Sequence, residues 1–279
     1  MTVSGDPTNV TCHGASDGSI FVTHSIGASV VITDSMNVDV TANNGNFGPG
    51  DYTLTATAND GNNIGHCTNT VIVTISEPTA VSVSGLATNV TCHGAANGFI
   101  AITHSIGSTL VIIDSNSIDV TANNGSLEPG DYTLTATASD GNGIGYCTST
   151  ASITIIEPIE VTVSGIATHI TCYGSADGSI DITKSIGSTV VITNSSNIDV
   201  TANNGTYGPD VYILTATAPN GNGTGYCSSA DTVTIIGPPL VTVSGIPTNV
   251  SCFGSSDGSI AITHSVGATV VIKNYYCPR

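Results

Sequence analysis

The sequence predicts an all-β protein: an elongated array of tandem immunoglobulin-like β-sandwich domains with one disulfide per repeat. Three observations predict this fold class. The chain repeats itself at a constant interval, its apolar residues alternate with a period of two, and its cysteines recur in register with the repeat.

The repeat is clearest at the start and the end of each unit. A Val-Ser-Gly segment begins at Val3 and returns at Val83, Val163 and Val243. One unit, from Val3 to the residue before Val83, is too long for a solenoid coil and has the length of a small independent domain. The full units close on Pro78, Pro158 and Pro238.

We therefore predict domains at residues 1–78, 79–158 and 159–238, and an incomplete fourth repeat at 239–279 that lacks the later strands. Because proline fixes φ, the short joints that end in proline favour a rod.

Within one unit, the apolar residues follow the period of a half-buried strand. Ile20 and Val22 alternate with Phe21 and Thr23, and Phe21 becomes Asp181 in the third repeat, which assigns that position to the solvent side. Asp-Gly and Asn-Gly pairs, which support hairpin turns, separate the apolar runs. About seven short strands without a helix in each unit predict an immunoglobulin-like sandwich.

A tyrosine follows a turn at the same position in each full repeat: Tyr52, Tyr132 and Tyr212. A tyrosine at a strand start that bonds back to the preceding loop is the tyrosine corner of such sandwiches. The alternative interpretation is an ordinary core tyrosine.

Eight cysteines follow the repeat, two in each unit and equally spaced in the three full units: Cys12 and Cys67, Cys92 and Cys147, Cys172 and Cys227, Cys252 and Cys277. The periodicity predicts one disulfide inside each repeat and no free thiol. Closing the loop from Cys12 to Cys67 stabilises a unit by roughly 4 kcal/mol in the chain-entropy treatment. Disulfides imply an oxidising compartment, so we expect secretion to the cell surface.

Metal binding has little support in the sequence. There is no Cys-x-x-Cys, and the histidines beside Cys12 and Cys92 give way to Tyr173 and Phe253, so this position favours a ring and not a ligand. We predict no metal and no cofactor. Calcium between domains is the alternative, because several aspartates lie in predicted loops: Asp17, Asp51, Asp60, Asp131 and Asp140. The third repeat lacks a full set of these aspartates, because Val211 and Asn220 replace Asp51 and Asp60.

The charge balance excludes several functions. The chain has 3 Lys+Arg against 20 Asp+Glu and a formal net charge of -17. So few cations cannot neutralise a run of phosphates or an anionic membrane surface, which excludes nucleic-acid binding. No apolar run approaches the ~18 residues that span a bilayer, which argues against membrane insertion. A nucleophile elbow and paired carboxylates are also missing, so we predict that the protein is not an enzyme.

Seven asparagines stand in Asn-x-Ser/Thr sequences and are candidate glycosylation sites: Asn9, Asn89, Asn124, Asn194, Asn204, Asn222 and Asn249. The start of the chain resembles the start of a repeat and not a signal peptide, so we expect a fragment or a mature region.

Four segments carry a resemblance to a known family: the Asn-Val-Thr-Cys-x-Gly-x-x-Asp-Gly-Ser-Ile run (Asn9–Ile20), Gly-Asp-Tyr-Thr-Leu (Gly50–Leu54), Gly-x-Cys (Gly65–Cys67) and Ile-x-Glu-Pro (Ile75–Pro78). The unit resembles the SprB repeat of gliding and surface proteins in Bacteroidetes. It departs from that family at Ile26-Gly27-Ala28, where a Gly-Gly-x-x-Pro-Tyr pattern is usual. The resemblance implies a large, exported, repetitive and non-catalytic cell-surface adhesin.

The sequence therefore favours a mechanical role, as a structural or adhesive segment of an extracellular stalk or filament. Two alternatives remain. One is a self-assembling filament subunit, a homopolymer in which a neighbouring chain completes the last repeat. The other is a surface module whose loops bind a glycan or another partner.

Overall fold

A computed structural model describes residues 1–43, 45–62, 64–203 and 205–274. The chain divides into two compact units, Met1–Pro158 and Ile159–Arg279. The division falls between the second and the third predicted repeat. The first unit therefore contains repeats 1 and 2, and the second contains repeats 3 and 4.

The first unit holds two sets of five strands. Repeat 1 contains β1 (Val3–Thr8), β2 (Ser19–His24), β3 (Ser29–Thr33), β4 (Gly50–Asn59), β5 (His66–Ile75) and a 3-10 turn at Thr41–Asn43. Repeat 2 contains β6 (Val83–Thr88), β7 (Phe99–His104), β8 (Thr109–Asp114), β9 (Gly130–Ser139), β10 (Tyr146–Ile155) and a 3-10 turn at Thr121–Asn123.

The second unit holds one full set and one partial set. Repeat 3 contains β11 (Val163–Thr168), β12 (Ser179–Lys184), β13 (Thr189–Thr193), β14 (Asp210–Pro219), β15 (Tyr226–Ile235) and a 3-10 turn at Thr201–Asn203. Repeat 4 contains β16 (Val243–Thr248) and β17 (Ser259–His264).

Each full repeat is a sandwich of two antiparallel sheets. In repeat 1, β1 pairs with β2, and β3, β4 and β5 form the second sheet with β4 in the centre. Repeats 2 and 3 have the same strand order. The predicted all-β array of sandwiches is confirmed.

The strand count differs from the prediction, with five strands in a full repeat instead of about seven. The segment after β3 makes only isolated bridges, Thr33 to Asp39 and Gly18 to Phe47. The Asp39 carboxylate accepts hydrogen bonds from the backbone nitrogen and the hydroxyl of Thr41, at 3.0 and 2.6 Å. Such local side-chain bonds offer the backbone an alternative to a ladder, so this segment turns instead of extending.

Each full repeat has its own apolar core. In repeat 1, Leu54 of the central strand is fully buried between the sheets, with Ile75 and Phe47 beside it. Close packing explains why the Val-Ser-Gly motif has a glycine. A Cβ at Gly5 would lie 2.8 Å from a methyl of Val73 and 2.9 Å from one of Leu54. The two sheets approach so closely that only glycine fits.

The predicted tyrosine positions are buried and bonded. The hydroxyl of Tyr52 donates to the carbonyl of Gly48 at 2.9 Å. Tyr132 donates to Glu128 at 2.8 Å, and Tyr212 does the same within repeat 3 at 3.0 Å. Each bond returns to the loop four residues upstream, which is the geometry of a tyrosine corner. Burial is the main cause that raises the pKa of all three hydroxyls, so each stays a neutral donor.

Repeat 4 has one sheet where the others have two. All residues of β16 and β17 are exposed, and Val250 is 48% exposed where its counterpart in repeat 1, Val10, is fully buried. The Tyr-Cys pair that ends the sequence pattern, with Cys277, lies outside the described residues. The described part of repeat 4 is thus half of a sandwich with its apolar face uncovered.

Candidate interface between successive repeats

A loop after β1 carries the first cysteine of repeat 1. The backbone nitrogen and the hydroxyl of Thr11 donate to the Asp17 carboxylate at 2.9 and 2.6 Å. The backbone nitrogen of Val10 donates to the carbonyl of Ser76 at 3.2 Å, and its side chain is fully buried. These bonds hold the loop Asn9–Cys12 against the end of β5.

The two Thr11 donors, the hydroxyl first, hold the pKa of Asp17 below its ordinary value of 3.8. The same arrangement recurs in repeat 3, where Thr171 lowers the pKa of Asp177. Repeat 2 has Asn97 at this position, and its amide oxygen accepts from the backbone nitrogen of Thr91 at 2.9 Å. The loop therefore needs an oxygen acceptor at this position, and an amide serves as well as a carboxylate.

The turn between β9 and β10 carries the second cysteine of repeat 2. The Asp140 carboxylate accepts hydrogen bonds from the backbone nitrogens of Asn142, Ile144 and Gly145 at 3.2, 3.0 and 2.9 Å. This is the capped turn that aspartate favours, and it fixes the hairpin tip. Cys147 follows as the second residue of β10 and is 7% exposed.

The loop of repeat 1 and the hairpin of repeat 2 meet in a junction. Cys12 and Cys147 form a disulfide, with their Cα atoms 5.7 Å apart. The backbone nitrogen of Gly141 donates to the carbonyl of Thr11 at 2.8 Å, and the amide nitrogen of Asn142 donates to the carbonyl of Asn9 at 3.1 Å.

Gly141 packs closely against the loop of repeat 1. A Cβ at Gly141 would lie 2.8 Å from the carbonyl oxygen of Val10 and 3.2 Å from Cδ of Pro78. Backbone cannot yield as a flexible side chain can, so glycine is required here for close approach. Pro78, which the sequence assigned to the interdomain joint, is part of the same surface.

The predicted pairing of Cys12 with Cys67 is wrong. Cys67 is at the start of β5, whereas the Val10–Ser76 bond places Cys12 beyond the end of that strand. Nine residues of strand separate these ends by about 30 Å, and disulfide-bonded Cα atoms lie within ~7 Å. A bond inside the repeat would need the sandwich to unfold.

The states of the other cysteines also differ from the prediction. Cys67, Cys172 and Cys252 are free and exposed, so the prediction of no free thiol is also wrong. Cys92 and Cys227 are disulfide-bonded. The within-repeat pairs that were predicted for repeats 2 and 3 fail, because Cys147 bonds to Cys12 and Cys172 is free.

A contact between a histidine and a carboxylate, which the sequence analysis did not predict, lies beside the junction loop. Nδ1 of His13 is 3.2 Å from the Glu77 carboxylate, which also accepts from the backbone nitrogen of Gly14 at 2.8 Å. Repeat 2 repeats the pair with His93 and Glu157 at 3.2 Å. The signal was present in the sequence, because the third repeat changes both members together, to Tyr173 and Gly237.

The acids that were candidate calcium ligands are each bonded within their own repeat. Besides Asp17 and Asp140, Asp51 accepts from the hydroxyl of Thr74 at 2.6 Å, Asp131 accepts from that of Thr154 at 2.6 Å, and Asp60 caps its own hairpin. Within the described ranges, no cluster of three or more His, Cys, Asp or Glu side chains could hold a metal ion.

The candidate glycosylation sites differ in their surroundings. Asn9 and Asn89 accept hydrogen bonds from the backbone nitrogens of Ser76 and Ile156. Asn124 uses both its amide oxygen and its amide nitrogen, each 2.9 Å from the backbone of Ile100. Asn222 and Asn249 lie at exposed positions, whereas Asn194 is half-buried and accepts hydrogen bonds from the backbone nitrogens of Ser196 and Ile198. Asn204 lies outside the described residues.

The fold and the junction define a class: a tandem β-sandwich repeat protein with a disulfide between successive repeats. Residues 244–270 match the family model of the SprB repeat, which confirms the predicted resemblance for this segment. The match covers nearly all of β16, all of β17 and the loop between them that carries Cys252. No curated protein matches the chain.

The match indicates a cell-surface repeat protein, because the SprB repeat is a structural repeat of surface proteins associated with gliding and adhesion. Disulfides fit the oxidising environment outside the cell. In the part of the chain that the structure describes, no helix has the length and apolarity to cross a membrane.

Proposed function

We propose that this chain is a non-enzymatic, load-bearing segment of an exported cell-surface stalk or filament, in which covalent bonds between successive repeats carry tension. The observation that carries the proposal is the Cys12–Cys147 disulfide. A bond inside each repeat would protect single domains and leave the joints as the weak points. A bond between repeats protects the joint itself.

The geometry supports a mechanical role for this bond. The disulfide closes a sequence separation of 135 residues, which includes most of repeats 1 and 2. Under tension between residues 1 and 158, the disulfide keeps the chain between Cys12 and Cys147 out of the load path. Only the segments outside the bond, which include β1 and most of β10, can then be pulled from their sheets. At ~3.4 Å per extended residue, the bond withholds about 460 Å of chain from extension.

Single-molecule stretching tests the proposal. Handles attached at residues 1 and 158 of the full chain, through chemistry that spares cysteine, apply force across the first unit. We expect a short extension without reductant and a gain of about 460 Å once the disulfide is reduced. Cys147→Ser should show the long extension without reductant.

Cys67→Ser is the matched control, because Cys67 is a free thiol in the same unit. It should extend like the unchanged chain. Equal extension with and without reductant would remove the mechanical basis of the proposal.

A further inference from the structure

Repeat 1 presents the same hairpin as repeat 2, with no loop seated on it. Asp60 caps this turn as Asp140 caps the other, accepting from the backbone nitrogens of Asn62 and Ile64 at 3.0 and 3.1 Å. Cys67 pairs with Ala58 across the sheet just as Cys147 pairs with Ala138. Cys67 is an exposed free thiol, and a Cβ on Gly61 would meet nothing within 4 Å.

Repeat 4 presents the complementary loop, also unoccupied. The backbone nitrogen of Ser251 donates to the Asp257 carboxylate at 3.0 Å, as Thr11 does to Asp17. The turn that begins at Cys252 has the same backbone bond, from Ser255 to the carbonyl of Cys252 at 3.1 Å. Cys252 is exposed and free.

We propose that this protein joins head to tail with a second copy of itself through these two surfaces. The hairpin tip at Gly61 and Asn62 of one copy docks on the loop Asn249–Cys252 of another, and a disulfide forms between Cys67 and Cys252. The occupied junction between repeats 1 and 2 supplies the template, because the same residue types form the same bonds there. The nitrogen of Gly61 then donates to the carbonyl of Ser251, and Asn62 donates to that of Asn249.

Cys172 is the internal control. It has the same position in repeat 3 and is also free and exposed, but its own chain continues beyond it into repeat 4. A second copy that seats its first repeat after repeat 4 meets Cys252 and not Cys172.

The bond forms by thiol–disulfide exchange with a small disulfide such as oxidised glutathione. The Cys67 thiolate attacks one glutathione sulfur and releases a glutathione thiolate. The Cys252 thiolate of the other copy then attacks Cys67 in the mixed disulfide and releases the second. Two protein thiols and one oxidised glutathione give one protein disulfide and two reduced glutathiones.

Incubation of the full chain in a glutathione redox buffer tests the proposal. Non-reducing electrophoresis should show a ladder of covalent multimers, and mass spectrometry of chymotryptic peptides should find Cys67 joined to Cys252. Cys67→Ser and Cys252→Ser should each abolish the ladder, whereas Cys172→Ser should leave it. Circular dichroism confirms that each variant is folded.

Gly61→Ala separates docking from unspecific oxidation. It touches nothing in the single chain, yet at the docked hairpin its methyl would collide with backbone as one on Gly141 would. We expect it to lower the yield of multimers by roughly tenfold or more. Monomers at every glutathione ratio, multimers insensitive to Gly61→Ala, or linkage through Cys172 would each overturn the proposal.

Multimer formation is independent of the mechanical function. A chain that bears load without forming multimers, or forms multimers without bearing load, separates the two.

Discussion

Replacing Cys147 by serine should destabilise both of the first two repeats, whereas replacing Cys67 should leave their stability unchanged. The Cys12–Cys147 bond spans 135 residues, and its loss returns about 5 kcal/mol of chain entropy to the fully unfolded first unit. When only repeat 1 unfolds, the loop runs from Cys12 to the start of β6, and the loss is about 4 kcal/mol. For a unit of this size the change corresponds to a fall in melting temperature of roughly 10–20 °C.

Calorimetry and thiol titration of the denatured chain check this prediction together. Cys147→Ser should lower the melting temperature and add one titratable thiol, because it releases Cys12. Cys67→Ser should keep the melting temperature and remove one thiol, because Cys67 is already free. If Cys67→Ser instead adds a thiol and destabilises repeat 1, the bond lies inside the repeat and the junction described above is refuted.

Three further predictions concern the sandwich itself. Gly85→Ala should cost about 1–3 kcal/mol in thermal unfolding, because its methyl would lie 2.7 Å from a core leucine; an unchanged melting temperature would contradict the close sheet contact. Tyr132→Phe should cost about 1 kcal/mol through the loss of the hydroxyl bond to the loop, and a neutral result would show that this bond adds nothing. Because the pKa of Asp17 is lowered in the folded chain, its bond to Thr11 is intact above pH 3.8 and is lost as the pH falls through the lowered value. Hydrogen exchange should show Thr11 losing protection there, while the same position in repeat 2, which bonds Asn97, does not; a parallel loss at both positions would contradict this assignment.

The repeat and the strand pattern could be predicted from the sequence because both are local. Alternation at Ile20 and Val22 and the turns around Asp60 depend on neighbouring residues, and the sheets form at those positions. The count of strands was too high after β3, where Asp39 bonds its own backbone. That competition depends on side-chain geometry, which a hydrophobic pattern does not contain.

The cysteine pairing could not be predicted because periodicity leaves it open. Cys12 has one candidate partner in its own repeat, Cys67, and an equivalent candidate in the next repeat, Cys147. Both pairings are equally periodic, and the shorter one looks more economical. The choice depends on which end of the sheet each cysteine occupies, and the bond from Val10 to Ser76 decides it.

The junction explains why a covalent bond is needed at this place in the molecule. Its hydrogen bonds, from Gly141 and Asn142, contribute on the order of 1 kcal/mol each. The net charge of -17 opposes the approach of any two repeats. Such a surface binds weakly but in one orientation. The disulfide therefore supplies the strength of the junction, and the glycine and amide contacts fix how the two repeats are aligned. A docking surface of this kind can be weak in solution and still direct which two cysteines meet.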